Sequence, residues 1–155
     1  MFGVSKLTNG RTPDQVHDYD MPAAEVEAGK VVRYDAANND LTVASTSGTL
    51  GVLGICVSEP NQSMDDGGGI TFPLGGTVLK PVVMRIYRDT LVEADVTGVV
   101  HIADLEPGDD LDVDANGTGL VAGVNGDFIV EKILADDGTD VKKVRGYFVR
   151  YQLAG

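Results

Sequence analysis

The stretch EAGKVVRYDAANNDLTVA, Glu27 to Ala44, decides the fold, because the chain writes it a second time. It aligns without a gap to EPGDDLDVDANGTGLVAG, Glu106 to Gly123. Glu27 meets Glu106, Gly29 meets Gly108, Val32 meets Leu111, Asp35 meets Asp114, Ala36 meets Ala115 and Leu41 meets Leu120. Each copy reads as a turn, a strand, an Asp-Ala turn and a second strand. Each is followed by another apolar run, LGVLGICV or GDFIVEKIL. Short apolar runs bounded by Gly, Asn and Asp point to antiparallel β-structure. The hairpin units, about residues 27–60 and 106–135, are an old duplication or convergent hairpin chemistry. Two copies are too few for a solenoid.

The hairpin reading competes with a calcium loop in the second copy. Asp112, Asp114 and Asn116 fit the first, third and fifth positions of an EF-hand, and Gly117 fits the sixth. The pattern then breaks. Gly123 stands where a bidentate Glu is required, Gly119 stands where an apolar residue is usual, and the first copy has Arg33 in place of Asp112. The acidic run is therefore expected to be a solvated turn, with no metal and no cofactor. Asn116-Gly117 and Asp137-Gly138 are expected to supply the positive backbone angles of tight turns.

The rest of the chain follows the same rhythm. β-Branched runs such as TVLKPVVMRIY, GVVHIA, FIVEKIL and VKKVRGYFVRYQL alternate with AANND, DDGGG, VNGD and DDGTD. The expected fold is all-β, a small barrel or sandwich of short antiparallel strands over residues 25–155. Pro81 lacks an amide hydrogen, so its strand is expected at an edge or bulged. Residues 1–24 lack sustained periodicity and read as an arm outside the barrel. In it Thr12 to Gln15, TPDQ, looks like a helix start with Pro at the first position, running to Tyr19. Phe2, Val4 and Leu7, with Val16 and Tyr19 behind them, would anchor such an arm on a partner. The plainer alternative is a disordered terminus.

Composition narrows the function. The chain has 155 residues, 43% of them apolar, enough for one domain with a core. Its formal net charge is −12, which opposes binding to nucleic acid or to anionic membranes. The N-terminal sequence has no apolar run of signal-peptide type, so the product is expected in the cytoplasm. Cys56 is the single cysteine and sits in an apolar run, which predicts a buried, inert thiol. His17 and His101 are the two histidines, with no ligand cluster around them. His101 is expected to be a strand residue with a satisfied ring. No serine lies in a nucleophile motif, and DDGGGITF lacks the order of a phosphate loop, so it reads as a flexible loop before a strand. Nothing adds up to a catalytic constellation, so no enzyme is predicted.

Over Glu27 to Pro60 the chain resembles the small capsid cement, or head decoration, proteins of tailed bacteriophages. The residues that carry the resemblance are Gly29 before a strand, Asp35-Ala36 at a turn, Leu41 to Ala44, and Leu50-Gly51-Val52 opening a third strand. The resemblance implies a virion protein that adds to the outside of an assembled head and bridges major capsid subunits. It also implies a homo-oligomer, with a trimer favoured. Another virion part, such as a tail-tube or head–tail joining subunit, is the alternative. A carbohydrate-binding module comes behind it, disfavoured by the absence of Trp.

Overall fold

The computed structural model describes residues 1–7, 14–16, 19–44, 51–57, 63–65, 71–73, 78–87 and 90–152. In chain order the strands are β1 (Phe2–Leu7), β2 (Gln15–Val16), β3 (Met21–Pro22), β4 (Val31–Asp35), β5 (Asp40–Val43), β6 (Gly54–Cys56), β7 (Ser63–Asp65) and β8 (Thr71–Pro73). Then come β9 (Val78–Leu79), β10 (Val83–Arg85), β11 (Thr90–Asp95), β12 (Asp110–Val113), β13 (Leu120–Ala122), β14 (Phe128–Asp136) and β15 (Val141–Phe148). Single-turn 3-10 helices lie at Ala23–Glu25 and Ile102–Asp104. The fold is all-β. A six-stranded antiparallel sheet runs β1-β11-β15-β14-β12-β13 and a five-stranded one runs β2-β10-β6-β4-β5, with two-stranded ribbons β3-β9 and β7-β8.

The two hairpins are built alike, pair for pair. In β4-β5, Val32 faces Val43, Arg33 faces Thr42 and Tyr34 faces Leu41; in β12-β13, Leu111 faces Ala122, Asp112 faces Val121 and Val113 faces Leu120. A third strand joins each on the same side, β6 against β4 and β14 against β12. The loop that enters each unit is also tied in the same way. Gly29 donates its N–H to the Cys56 carbonyl at 2.7 Å, and Gly108 donates to the Val130 carbonyl at 2.7 Å. Cys56 N–H reaches Lys30 O at 2.8 Å, and Val130 N–H reaches Asp109 O at 2.9 Å. Both glycines have positive φ, 86° and 105°, the backbone region that a side chain disfavours. The 3-10 turn before each loop completes the likeness.

The units differ in which faces they bury. In the second, β12 alternates: Leu111 and Val113 point into the core, and Asp110 and Asp112 lie on the other face. Apolar residues at every second position give a strand with one wet face. In the first, adjacent Val31 and Val32 are both fully buried. Val32 belongs to a small core with Met21, Val26, Leu41, Leu53, Cys56 and Val83. Val31, Ala44 and Ile55 face the other way, into the main core with Leu111, Phe128, Val130 and Phe148. The five-stranded sheet is thus covered on both sides, which is why KVVRY carries paired valines where DLDVD alternates.

Residues 1–24 do not form a detached arm where they are described. β1 is a strand of the six-stranded sheet, paired with β11 from Phe2↔Ala94 to Leu7↔Thr90. Phe2 is only 3% exposed and packs on Phe148 with ring centroids 6.0 Å apart. Burying an aromatic ring outweighs the weak strand pattern of MFGVSKL. The helix expected from TPDQ is not formed at Gln15–Val16, which is β2, paired with Met84 and Val83. Its neighbour Asp14 accepts the Arg85 N–H at 2.9 Å and the Tyr87 hydroxyl at 2.7 Å. Thr12, Pro13, His17 and Asp18 lie outside the described residues. Pro81 separates β9 from β10, so the long run is two strands rather than one. GVVHIA, read as a strand, is instead the lead into a 3-10 turn, with one bridge from His101 to Asp140.

Candidate functional site

The acidic loop of the second unit uses its carboxylate on its own backbone. Asp114 accepts the Asn116 N–H at 3.0 Å and the Thr118 N–H at 2.9 Å on one oxygen. The other takes the hydroxyls of Thr97 at 2.8 Å and Thr118 at 3.1 Å. Burial pushes its pKa up, but those hydrogen bonds from Thr97, Thr118 and Asn116 pull it further down, below the ordinary carboxylate value. Gly117 takes the positive φ, 69°; Asn116, expected to share it, does not. The Gly117 carbonyl accepts the Val31 N–H at 2.9 Å, so this turn also joins the two units. Among the described residues no three His, Cys, Asp or Glu side chains converge as a metal would require.

The β14-β15 hairpin closes by the same device. Asp136 accepts the Gly138 N–H at 3.0 Å, and Asp137 accepts those of Thr139 at 3.0 Å and Asp140 at 2.8 Å. The Asp140 amide, the Lys142 ammonium and the Thr139 amide hold the Asp137 carboxyl at a pKa of about 2. Of the Asp137-Gly138 pair only Gly138 has positive φ, 91°. Beside this turn, the His101 ring Nδ1 lies 2.7 Å from Asp140. Asp140 and Ile102, whose N–H reaches Thr139 O at 3.0 Å, fasten the hairpin tip to the second unit's entry segment.

Next to that entry segment lies a cleft of about 320 Å³, between residues 99–105 and the ends of β12 and β13. His101, Asp104, Asp109 and Asp110 line it together with the largely buried Val100 and Leu105. One oxygen of Asp109 accepts the Glu106 N–H at 2.7 Å, and one of Asp110 accepts the Gly126 N–H. Val99, at the mouth, is 69% exposed. Asp112, two positions on from Asp110, has its pKa raised by burial and by the carboxylates of Asp127 and Asp110, against a pull from Arg150. Asp127 is itself buried and paired to Arg150 Nε. No sequence pattern pointed to this cleft, because it forms only where the 3-10 turn that carries Asp104 folds against the loop and strand that carry Asp109 and Asp110.

A second groove, about 240 Å³, follows the seam where β1 meets the first unit, between Met1, Val4, Ala28, Val57 and Met84. Here the residues expected as arm anchors come together only in part. Phe2 is in the main core and Val4 packs half-buried against it. Leu7 pairs with Thr90, and its side chain lies outside the described residues. Val16 pairs with Val83, and Tyr19 packs on Tyr34 with centroids 4.9 Å apart. Phe2, Val4, Val16 and Tyr19 are therefore occupied within the chain's own fold. Cys56 is buried, 0% exposed. Comparison with protein-family models, with curated proteins and with solved structures finds no match for this chain.

Proposed function

We propose that the chain is a non-enzymatic virion structural protein, a cement or decoration protein that binds the outside of a phage head and bridges and stabilises major capsid subunits. The observation that carries the reading is the local order of the first unit. Gly29 at positive φ enters β4, Asp35 opens the turn to β5, and Gly51, at φ 69°, precedes Val52 and β6. These are the residues over which the chain resembles that family. The carboxylates of Asp35, Asp114, Asp136 and Asp137 support it too, because all of them hold turns. A chain whose polar groups serve its shape suits a shell component. Its partners on this reading are the major capsid protein and further copies of itself, a trimer being favoured. It is made in the host cytoplasm and ends on the capsid exterior, without nucleic acid, membrane or cofactor.

The test is co-sedimentation with purified heads that lack the protein. Saturable binding to the head exterior, together with greater resistance of the head to heat, is the expected result. Rings formed by the isolated protein, with no binding to heads, would move it to the tail tube.

A further inference from the structure

We infer that the Asn125–Gly126 step is a self-modification site, where the folded chain converts Asn125 to aspartate and isoaspartate through a succinimide and the Asp110 carboxylate takes the proton. The sequence has three Asn-Gly steps, of which Asn9–Gly10 lies outside the described residues. Glycine leaves its amide nitrogen open to the preceding side chain, because it has no Cβ to stand in the way. Asn116–Gly117 and Asn125–Gly126 differ in what holds that nitrogen. The Gly117 N–H is given to the Asp114 main-chain carbonyl at 3.0 Å, a neutral oxygen and a poor base. The Gly126 N–H is given to a carboxylate oxygen of Asp110. A general base has to stand within hydrogen-bond reach of the proton it removes, and Asp110 does.

The same peptide is polarised from its other end. A guanidinium nitrogen of Arg150 donates to the Asn125 carbonyl at 3.4 Å. When the amide gives up its proton, negative charge spreads onto that oxygen, and a cation already in place stabilises it. Asn125 is exposed, so water reaches it, and among the described residues nothing bonds its side-chain amide. Asn39, the other non-glycine residue at positive φ, has its side-chain oxygen held by the Tyr34 hydroxyl at 2.6 Å. In the reaction the Gly126 nitrogen bonds to Asn125 Cγ as its proton passes to Asp110. The bond from Cγ to the side-chain nitrogen breaks, and that nitrogen takes up the proton and leaves as ammonia. Water then opens the succinimide. Breaking the new bond to Cγ leaves aspartate, and breaking the bond to the main-chain carbonyl carbon leaves isoaspartate.

The site does not depend on the virion reading, and its test needs only the purified chain. Peptide mapping by mass spectrometry, after incubation for days at neutral pH, follows the amide-to-acid mass change at each step. Labelling by an isoaspartyl methyltransferase reports the isomer. In the folded chain Asn125 should convert at least about tenfold faster than Asn116, a modest share of what a general base supplies. In guanidinium chloride, where both steps have lost their surroundings, the two rates should be alike. Asp110→Asn keeps an acceptor oxygen for the Gly126 N–H and removes the base. It should slow Asn125 about tenfold in the folded chain and leave the rate in guanidinium chloride unchanged. If Asp110 only positions the amide, this variant converts like the parent, and the assignment falls. Should the variant not fold, the parent decides alone: conversion of Asn125 no faster than that of Asn116 in the folded chain overturns the assignment.

Discussion

The two hairpin units share a backbone and differ in what surrounds it. In the first, β4 is covered on both faces, so Val31 and Val32 are both buried. In the second, β12 is covered on one, and carboxylates take the other. Even the close packing is exchanged between strands. Gly54 on β6 leaves room for Val83 on β10, and at the matching places β14 has Phe128 and β15 has Gly146. The lesson is that register and turn geometry specify the hairpin, while the choice of side chain at each register specifies its neighbours. One frame can serve as an inner layer or as a surface.

The sharpest way to break this comparison is to remove the residue that seals the two units together. Phe2 sits between Phe148 of the six-stranded sheet and the Gly29 loop, whose carbonyl accepts its N–H at 3.1 Å. Phe2→Ala should cost about 3–5 kcal/mol in urea unfolding, the usual range for a buried ring. A loss near zero would return β1 to the status of an external arm. Next come the exchanged glycines. A Cβ on Gly146 would overlap the Ile129 carbonyl oxygen, and one on Gly54 the Met84 carbonyl oxygen. Gly146→Val and Gly54→Val should each cost about 2–3 kcal/mol or more, because backbone must move. If only one is costly, the packing of the two units is less alike than their pairing.

The turns should separate the units further. Gly117 is at φ 69°, and a Cβ there would overlap Val43, whereas Asn39, at φ 58°, ends a four-residue turn. Gly117→Val should cost about 2 kcal/mol, and Asn39→Val about 1 kcal/mol, the strain of the left-handed region together with the loss of the exposed Tyr34 hydroxyl bond to Asn39 Oδ1. Differential scanning calorimetry of the pair checks the order. Smaller again is Asp112→Asn. The Asp112 pKa is raised in the folded chain, so its charge works against folding at neutral pH. The variant should melt about a degree higher at pH 7. That gain should fade as pH falls through the raised folded-state value of Asp112 to the ordinary carboxylate value. Asp114 and Asp137 have the opposite sign: their lowered pKa values give stability present above the ordinary carboxylate value and lost as pH falls below it, for Asp137 through about 2. Last, millimolar calcium should move the melting temperature by less than about a degree relative to magnesium, since the Asp114 oxygens already accept four hydrogen bonds.

The sequence made the all-β class legible because the turns are local. Gly29, Gly108, Gly117 and Gly138 declare themselves in a window of a few residues. Strand membership at the N-terminus was not legible, because MFGVSKL becomes a strand only when β11 is there to pair with it. The failed helix has the same cause: pairing with β10, plus the ties from Asp14 to Arg85 and Tyr87, outweighs a favourable capping sequence. The cleft was hidden for a related reason. Asp104, Asp109 and Asp110 look like one more solvated acidic run until Val100 and Leu105 are folded against them.

The unequal faces of β4 and β12 have a consequence for how far assembly can run. Val31, Ala44 and Ile55 make the back of the first unit an apolar plate that docks on the core side of the second. At the matching places the second unit presents Asp110, Gly123 and Ile129, and Asp110 is a carboxylate. Were that back apolar as well, each molecule would end in a surface able to accept the next, and a head-to-tail contact that does not close grows into a fibre. Asp110 and Asp112 act as a chain terminator, ending the stack after two units.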